Sequence, residues 1–413
     1  MLQFKEPKPN PFVISLCKLI LPVWLRLKEH LSISIRGRIQ DLRTFSKCRR
    51  AVVLLNHPDR LDSLALIQLS RKMHEDFYCI VARECFDWYG GLLGWFFQNI
   101  GCYSVTRGKT DFHSIAMTKK ILQEGRRKLL VFPEGEITAD YFKLHKIHDA
   151  IFHIALTVQK DLFEANSESP VLIFPAATKF HLECDLASAV NPCLNKIEKR
   201  LQLNKNIHPD TYFRINSVVQ AYLQLVLDSY GMEKPQTGME NLAEFVAVEI
   251  LRKIALRTGV ACDESLSPLE RLYAFRNKAA GHAEERSVAL KSSKLRCLGI
   301  SKPCIYSDFE RIERLLILQK MLDHPFCDME YCRILDFIEC ELFETISPKG
   351  WQSCAVLIGA PVDASSFLLP FLESKEKGVK QLSEHFKEKL QSLLLTNLAL
   401  PDKKNSRAGL LNQ

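Results

Sequence analysis

Four short apolar runs, Ala51–Leu55 (AVVLL), Tyr78–Ala82 (YCIVA), Lys128–Phe132 (KLLVF) and Val171–Phe174 (VLIF), are separated by stretches of helical spacing. Runs of this length, bounded by turn residues, predict buried strands. SLALIQLSRKM and FHSIAMTKKILQEG between them predict helices, the second closed by Gly125. Strand alternating with helix restricts the chain to an α/β layer with a largely parallel central sheet. In such a sheet, polar residues just past the strand ends are where a site forms.

After Phe180 the pattern becomes helical. TYFRINSVVQAYLQLVLDSYG and ENLAEFVAVEILRKIALRTG stop at Gly231 and Gly259, and SPLERLYAFRNK opens with Ser267, Pro268 and Glu270 in capping-box spacing. Strand character returns at Cys354–Asp363 (CAVLIGAPVD), followed by the amphipathic GVKQLSEHFKEKLQSLLL. The economical arrangement is one α/β domain, 45–184 and 350–396, interrupted by a large α-helical insertion at 185–349. An amphipathic, membrane-interface helical segment occupies 1–44 and a disordered tail 397–413.

With 413 residues, 47% hydrophobic and 25% charged, the chain belongs to the globular class. Its net charge of +8 is spread along the sequence, which suits anionic lipid or phosphate-bearing substrates. No RNA- or DNA-binding signature is present, so no nucleic acid partner is expected. The 14 cysteines are scattered, which predicts reduced thiols. Cys327, Cys332 and Cys340 lack zinc-knuckle spacing, and His145, His148 and His153 have no acid or thiol completing a set, so no metal is expected. The apolar run Phe12–Leu25 is too short to span a bilayer, which takes about 20 apolar residues. It reads either as an interfacial helix, with Trp24 at headgroup depth and Lys18, Arg26 and Lys28 toward phosphates, or as a helix packed on the protein's own core.

Polar residues gather in four blocks. His57 follows the first strand, and Asp62 comes five residues later. On a continuous helix the two side chains would point about 140° apart, so they meet only if His57 precedes the helix and the chain bends at Pro58. A meeting would make His57 a general base held in one tautomer; otherwise it is a loop residue and Asp62 a first-turn acid. In IGCYSVTRG, Gly101 allows a turn, Tyr103 and Val105 alternate as an edge strand, and Arg107 with Gly108 behind it offers an anion clamp or a solvated arginine. LLVFPEGE places Glu134 and Gly135 at a strand end, and VLIFPAATKF runs a strand into Pro175 with Lys179 beyond.

In this order the blocks resemble the glycerolipid acyltransferase family, which includes lysophosphatidic acid acyltransferases and carries an H-x4-D signature. The resemblance covers about residues 45 to 180, together with Cys354–Leu395. It implies a glycerol-3-phosphate acyltransferase-like layered fold. His57 would deprotonate the acceptor hydroxyl and Asp62 would orient it. Arg107 would hold the acceptor's phosphate, with Gly101 and Lys179 among the substrate-binding positions. Glu134 and Gly135 would help bind the glycerol phosphate, and Pro175 would shape the acyl-donor side. Glu134, being anionic, is expected to hydrogen-bond an acceptor hydroxyl or to align a basic residue. The co-substrate would be an acyl-CoA or acyl carrier protein thioester with no cofactor, and the acceptor a lysophospholipid at the cytoplasmic face of a membrane. The chain departs from the family where Asp59 stands for a frequent serine, Ser104 for an aromatic, and Glu136 for threonine or serine. These changes bear on the acceptor more than on the reaction.

The aromatic stretch Phe86–Gly101 (FDWYGGLLGWFFQNIG) is favoured as a lipid contact over ordinary core. Two other classes remain: a lipid hydrolase using Ser63, although no G-x-S-x-G elbow is present, and a non-catalytic lipid-binding scaffold on an acyltransferase frame.

Overall fold

The computed structural model describes residues 3–138, 140–167, 169–203, 209–233, 241–259, 263–279, 305–323 and 327–396. The tail expected at 397–413 lies outside them. The strands are β1 Leu31–Gly37, β2 Ala51–Leu55, β3 Phe77–Ala82, β4 Cys102–Val105, β5 Lys128–Val131, β6 Leu172–Leu182, β7 Gln352–Ile358 and β8 Val362–Asp363. They form one sheet in the order β1-β7-β6-β2-β5-β3-β4, with β8 beside β6. From β6 to β4 all neighbours are parallel; β7 runs antiparallel to β6, and β1 parallel to β7. This is the α/β class expected.

The helices are α1 Pro11–Lys28, α2 Ile39–Lys47, α3 Asp62–Met73, α4 Leu92–Asn99, α5 Phe112–Glu124, α6 Ala150–Glu164 and α7 Leu186–Arg200. They continue with α8 Thr211–Ser229, α9 Leu242–Thr258, α10 Pro268–Ala279, α11 Ile305–Asp323, α12 Asp328–Phe343, α13 Leu368–Glu373 and α14 Lys375–Leu395. The expected capping box opens α10: Ser267 N–H donates to Glu270 Oε2 at 3.0 Å, and Glu270 N–H donates to Ser267 Oγ at 3.4 Å.

All five residues of β2 are buried, because a central strand of a largely parallel sheet is covered on both faces. Side chains alternate across it. Val53 and Leu55 join one core with Phe174, Phe180 and residues of α3, α7, α8, α9, α11 and α12, while Val52 and Leu54 join the opposite core with α5, α6, α13 and α14. The helices between β6 and β7 therefore share a core with one face of the sheet.

Two strands differ from the sequence expectation. Leu31–Gly37 falls in the segment read as helical, yet LSISIRG alternates apolar and polar residues and pairs with β7 at the sheet edge. The run expected at Val171–Phe174 continues to Leu182 through Pro175. Proline is tolerated there because β8 pairs with Leu172 and Ile173 while β7 pairs from Ala176 onward, so the missing N–H falls in the gap between two partners.

The chain leaves the sheet after Leu182 and returns at Gln352, and those two residues face each other in the β6–β7 ladder.

Candidate active site

His57 lies just past the carboxyl end of β2, before α3 begins at Asp62. The bend brings its Nδ1 to 3.0 Å from Asp62 Oδ2. Asp62 has no exposed surface, and burial pushes its pKa above the ordinary carboxylate value, partly opposed by the bond and charge of His57. A carboxylate on Nδ1 selects the tautomer whose proton sits there, leaving the Nε2 lone pair to accept a proton. The imidazole is also stacked on Phe132, with ring centroids 4.0 Å apart and planes inclined at 18°. Of the two readings open in the sequence, the geometry is that of the meeting pair.

The loop carrying His57 is held at every turn. Asn56 extends the β2–β6 ladder with its side chain, accepting Thr178 N–H at 2.8 Å and donating to Thr178 C=O at 3.3 Å. Thr138 N–H donates to His57 C=O at 2.8 Å. Glu134, buried after β5, accepts the backbone N–H of His57 at 3.0 Å on one oxygen and that of His145 at 3.2 Å on the other. Both oxygens are thus spent on backbone, and Glu134 sets where the histidine stands. Gly135 has φ +75°, and a Cβ there would lie 3.0 Å from His148 Nε2.

Asp59, two residues after His57, is almost wholly buried. Its N–H donates to Asp62 Oδ2 at 2.8 Å, so the same carboxylate oxygen that meets the imidazole is fixed by the Asp59 backbone. Its own carboxylate accepts Tyr141 O–H at 2.6 Å and faces Arg333 Nε at 2.5 Å. Arg333, on α12, also pairs with Asp336 and donates to Gln352 Oε1 at 2.7 Å. Lys349 bridges Asp336 at 2.9 Å and Glu339 at 2.7 Å. The helical stretch therefore reaches the His57–Asp62 pair through a buried chain of charges. Sequence reading named Asp59 but not Arg333, whose partner lies far away in the chain.

The remaining candidates divide. Arg107 follows β4 at the same end of the sheet as His57, but its guanidinium is engaged: Nε meets Glu84 Oε1 at 3.1 Å, Nη2 meets Glu313 Oε1 at 2.7 Å, and Nη1 donates to Tyr273 Oη at 2.7 Å. Gly101 precedes β4, at the opposite end of the strand from Arg107. It has φ +97°, and a Cβ there would press to 2.7 Å from Phe77 C=O, so the turn before β4 requires a glycine. Pro175 is buried beside Leu54, its carbonyl accepting Gly359 N–H at 2.9 Å. Lys179 alternates to the other face of β6 from Thr178, and its Nζ donates to Thr396 C=O at 2.6 Å, away from His57. Ser104 fills the position of the family's aromatic because the chain's N-terminal stretch covers the edge of β4: Lys5 N–H donates to Ser104 Oγ at 2.8 Å, and Ser104 N–H to Lys5 C=O at 3.0 Å. Ser63 is exposed on α3, apart from the His57–Asp62 contact.

Among the described residues no group of three or more His, Cys, Asp or Glu side chains is arranged to hold a metal ion. No described helix is long and apolar enough to cross a membrane. The outward stripe of α1 is nonetheless apolar, with Phe12, Leu19, Val23 and Leu27 from 59% to 74% exposed. The start of α1 is tied to the end of α4, where Lys8 N–H donates to Gln98 C=O and Asn10 N–H to Asn99 C=O. Tyr89, Leu92 and Trp95 extend the exposed apolar surface there. Lys18, expected to point outward, turns inward to Asp76 at 2.7 Å.

An imidazole held by a buried acid at the carboxyl end of a largely parallel sheet is an arrangement able to accept a proton from a hydroxyl. Residues 36–179 match the family model Acyltransferase, the family of glycerolipid and lysophosphatidic acid acyltransferases, so this part of the chain is similar to an acyltransferase domain. A search of the curated proteins found no match.

Proposed function

We propose that the protein moves a fatty acyl group from an acyl thioester, acyl-CoA or acyl carrier protein, to the hydroxyl of a lysophospholipid such as 1-acyl-sn-glycerol 3-phosphate. The work would be done in phospholipid synthesis or remodelling, on the cytoplasmic face of a membrane. The observation that carries the reading is the 3.0 Å contact of His57 Nδ1 with the fully buried Asp62. In the reaction His57 Nε2 takes the hydroxyl proton as the oxygen attacks the thioester carbonyl carbon. A C–O bond forms, the C–S bond breaks, and the proton passes to the departing thiolate. A thioester is already activated, so a positioned hydroxyl with a base needs no covalent enzyme intermediate. Asp62 stabilises the imidazolium between the two transfers.

Membrane association is supported by the apolar stripe of α1 and its continuation on α4, since exposed aromatic and aliphatic residues in one patch favour the headgroup boundary. Incubating the purified protein with mixed lysolipids and acyl-CoA, then recording lipid masses, tests the reading. Diacyl products from wild type and none from His57→Ala are expected. A wild-type protein without product across the panel would refute it.

A further inference from the structure

Arg107 does not meet its carboxylates alone. Arg276, on α10, donates from Nη1 to Glu84 Oε1 at 2.7 Å and from Nη2 to Glu313 Oε2 at 3.1 Å. Two guanidiniums thus face two carboxylates, all four side chains between 15% and 24% exposed. The two acids are held differently. Glu84, next to the end of β3, takes both arginines on Oε1, and their charges keep its pKa below the ordinary value although burial raises it. Glu313, on α11, places one oxygen on each arginine: Oε1 on Arg107 at 2.7 Å and Oε2 on Arg276 at 3.1 Å.

A phosphate monoester would span two guanidiniums with two of its oxygens in the same way, and its fuller charge and third oxygen give it the advantage over a carboxylate. Tyr273 closes the other side, its ring centroid 4.5 Å from the Arg107 guanidinium carbon and its hydroxyl on Nη1. Asn277 donates to Arg107 C=O at 2.9 Å, and Lys320 pairs with Glu136 at 2.6 Å, so α10 and α11 are fixed over this end of the sheet while Glu313 reaches into it.

We propose that Glu313 is a built-in occupant of the acceptor's phosphate site, and that a phosphate monoester displaces it to be held between Arg107 and Arg276. The proposal rests on the acceptor reading above and adds to it a second phosphate-binding residue and an internal competitor, both from the helical stretch. An internal competitor lowers apparent affinity by the fraction of molecules in which the site is free. Removing the negative charge of Glu313 therefore tightens phosphate binding, and removing Arg276 weakens it.

The test is equilibrium binding to the full chain, wild type beside Glu313→Gln, Glu313→Ala and Arg276→Met. The probes are a lysolipid with a phosphate monoester head, the choline phosphodiester lysolipid, sn-glycerol 3-phosphate and inorganic phosphate. Circular dichroism melts identify any variant that does not fold, and having two substitutions at Glu313 covers the loss of one. The expected result is monoester lysolipid binding about fivefold or more tighter with either Glu313 variant, about tenfold weaker with Arg276→Met, and a diester little changed. Tightening toward the lysolipid alone marks a lipid headgroup site; equal tightening toward the two soluble phosphates marks a general phosphate site, and both outcomes support displacement. Unchanged or weaker monoester binding in the Glu313 variants overturns it. Acyl transfer is measured in parallel: turnover by wild type with no affinity change in the variants sinks the displacement alone, whereas tightened binding with no turnover sinks the acyl-transfer reading alone.

Discussion

Arg333 Nε stands 2.5 Å from Asp59 Oδ2, with the arginine 5% and the aspartate carboxylate 0% exposed. The pair joins α12 to the loop between His57 and Asp62, because the Asp59 N–H is also a donor to Asp62. Removing one partner of a buried ion pair leaves the other uncompensated, which costs about 3–5 kcal/mol. Arg333→Met is expected to lower the unfolding free energy by that amount and to reduce kcat more than it raises KM. Combining it with Asp59→Asn should restore much of the stability. A denaturant series on the four members of the cycle checks this, and additive losses would show that the two side chains do not communicate.

His57→Ala should lose about a hundredfold or more of acyl transfer, the usual share of a general base, with an unchanged far-ultraviolet spectrum. Wild-type rates from the variant would remove His57 from the chemistry.

Asp62 makes a distinct pH prediction. Its pKa in the fold is raised by burial above that of the unfolded chain. The fold therefore binds its proton more readily, and the associated stabilisation is present below the unfolded pKa and is lost as pH rises through the folded one. Asparagine has no such loss. Asp62→Asn should be catalytically crippled, yet its melting temperature relative to wild type should climb as pH rises above about 4. A flat difference across that range would contradict the burial argument.

Glu339 behaves in the opposite sense. Lys349 at 2.7 Å and the N–H and O–H of Ser347 hold its pKa down at about 2 despite burial. A depressed acid stabilises above its unfolded pKa, from 4.5 upward, and that stabilisation fades as pH falls toward about 2. Glu339→Gln is expected to melt earlier than wild type at neutral pH, with the two curves converging on acidification. Melts across that range decide it.

The apolar face of α1 and α4 can be tested without any turnover. Leu19→Ser with Trp95→Ser should reduce co-sedimentation with anionic vesicles while leaving the melting temperature within about 1–2 °C, because both side chains are more than half exposed. Undiminished sedimentation would place membrane contact elsewhere.

Much of the frame was legible because local patterns carry it. Ala51–Leu55 is the run of five apolar residues that becomes β2, and the glycine stop at Gly125 and the capping box at Ser267 appear where spacing puts them. The His57–Asp62 meeting was legible only as an alternative, since it depends on a bend that Pro58 permits but does not dictate. LSISIRG carried its own period-two signal, outweighed by the strong helical run before it. What could not be read was pairing over long distances. Arg107 looked like a free clamp because nothing near it in sequence announces Glu313 or Arg276. Asp59 stood out only as a departure from the family's serine because nothing announces Arg333.

Leu182 and Gln352 are partners in one ladder, so the two ends of everything between them already touch. A short hairpin could join β6 to β7, and the sheet would keep its order. What would not survive such a shortening is the ion pair of Asp59, whose carboxylate would lose Arg333 and keep the hydroxyl of Tyr141. A version of this protein without its helices would first have to trade that aspartate for a small neutral side chain, such as the serine frequent at this position in the family. The acid and the helices are therefore expected to have been acquired together and to be lost together.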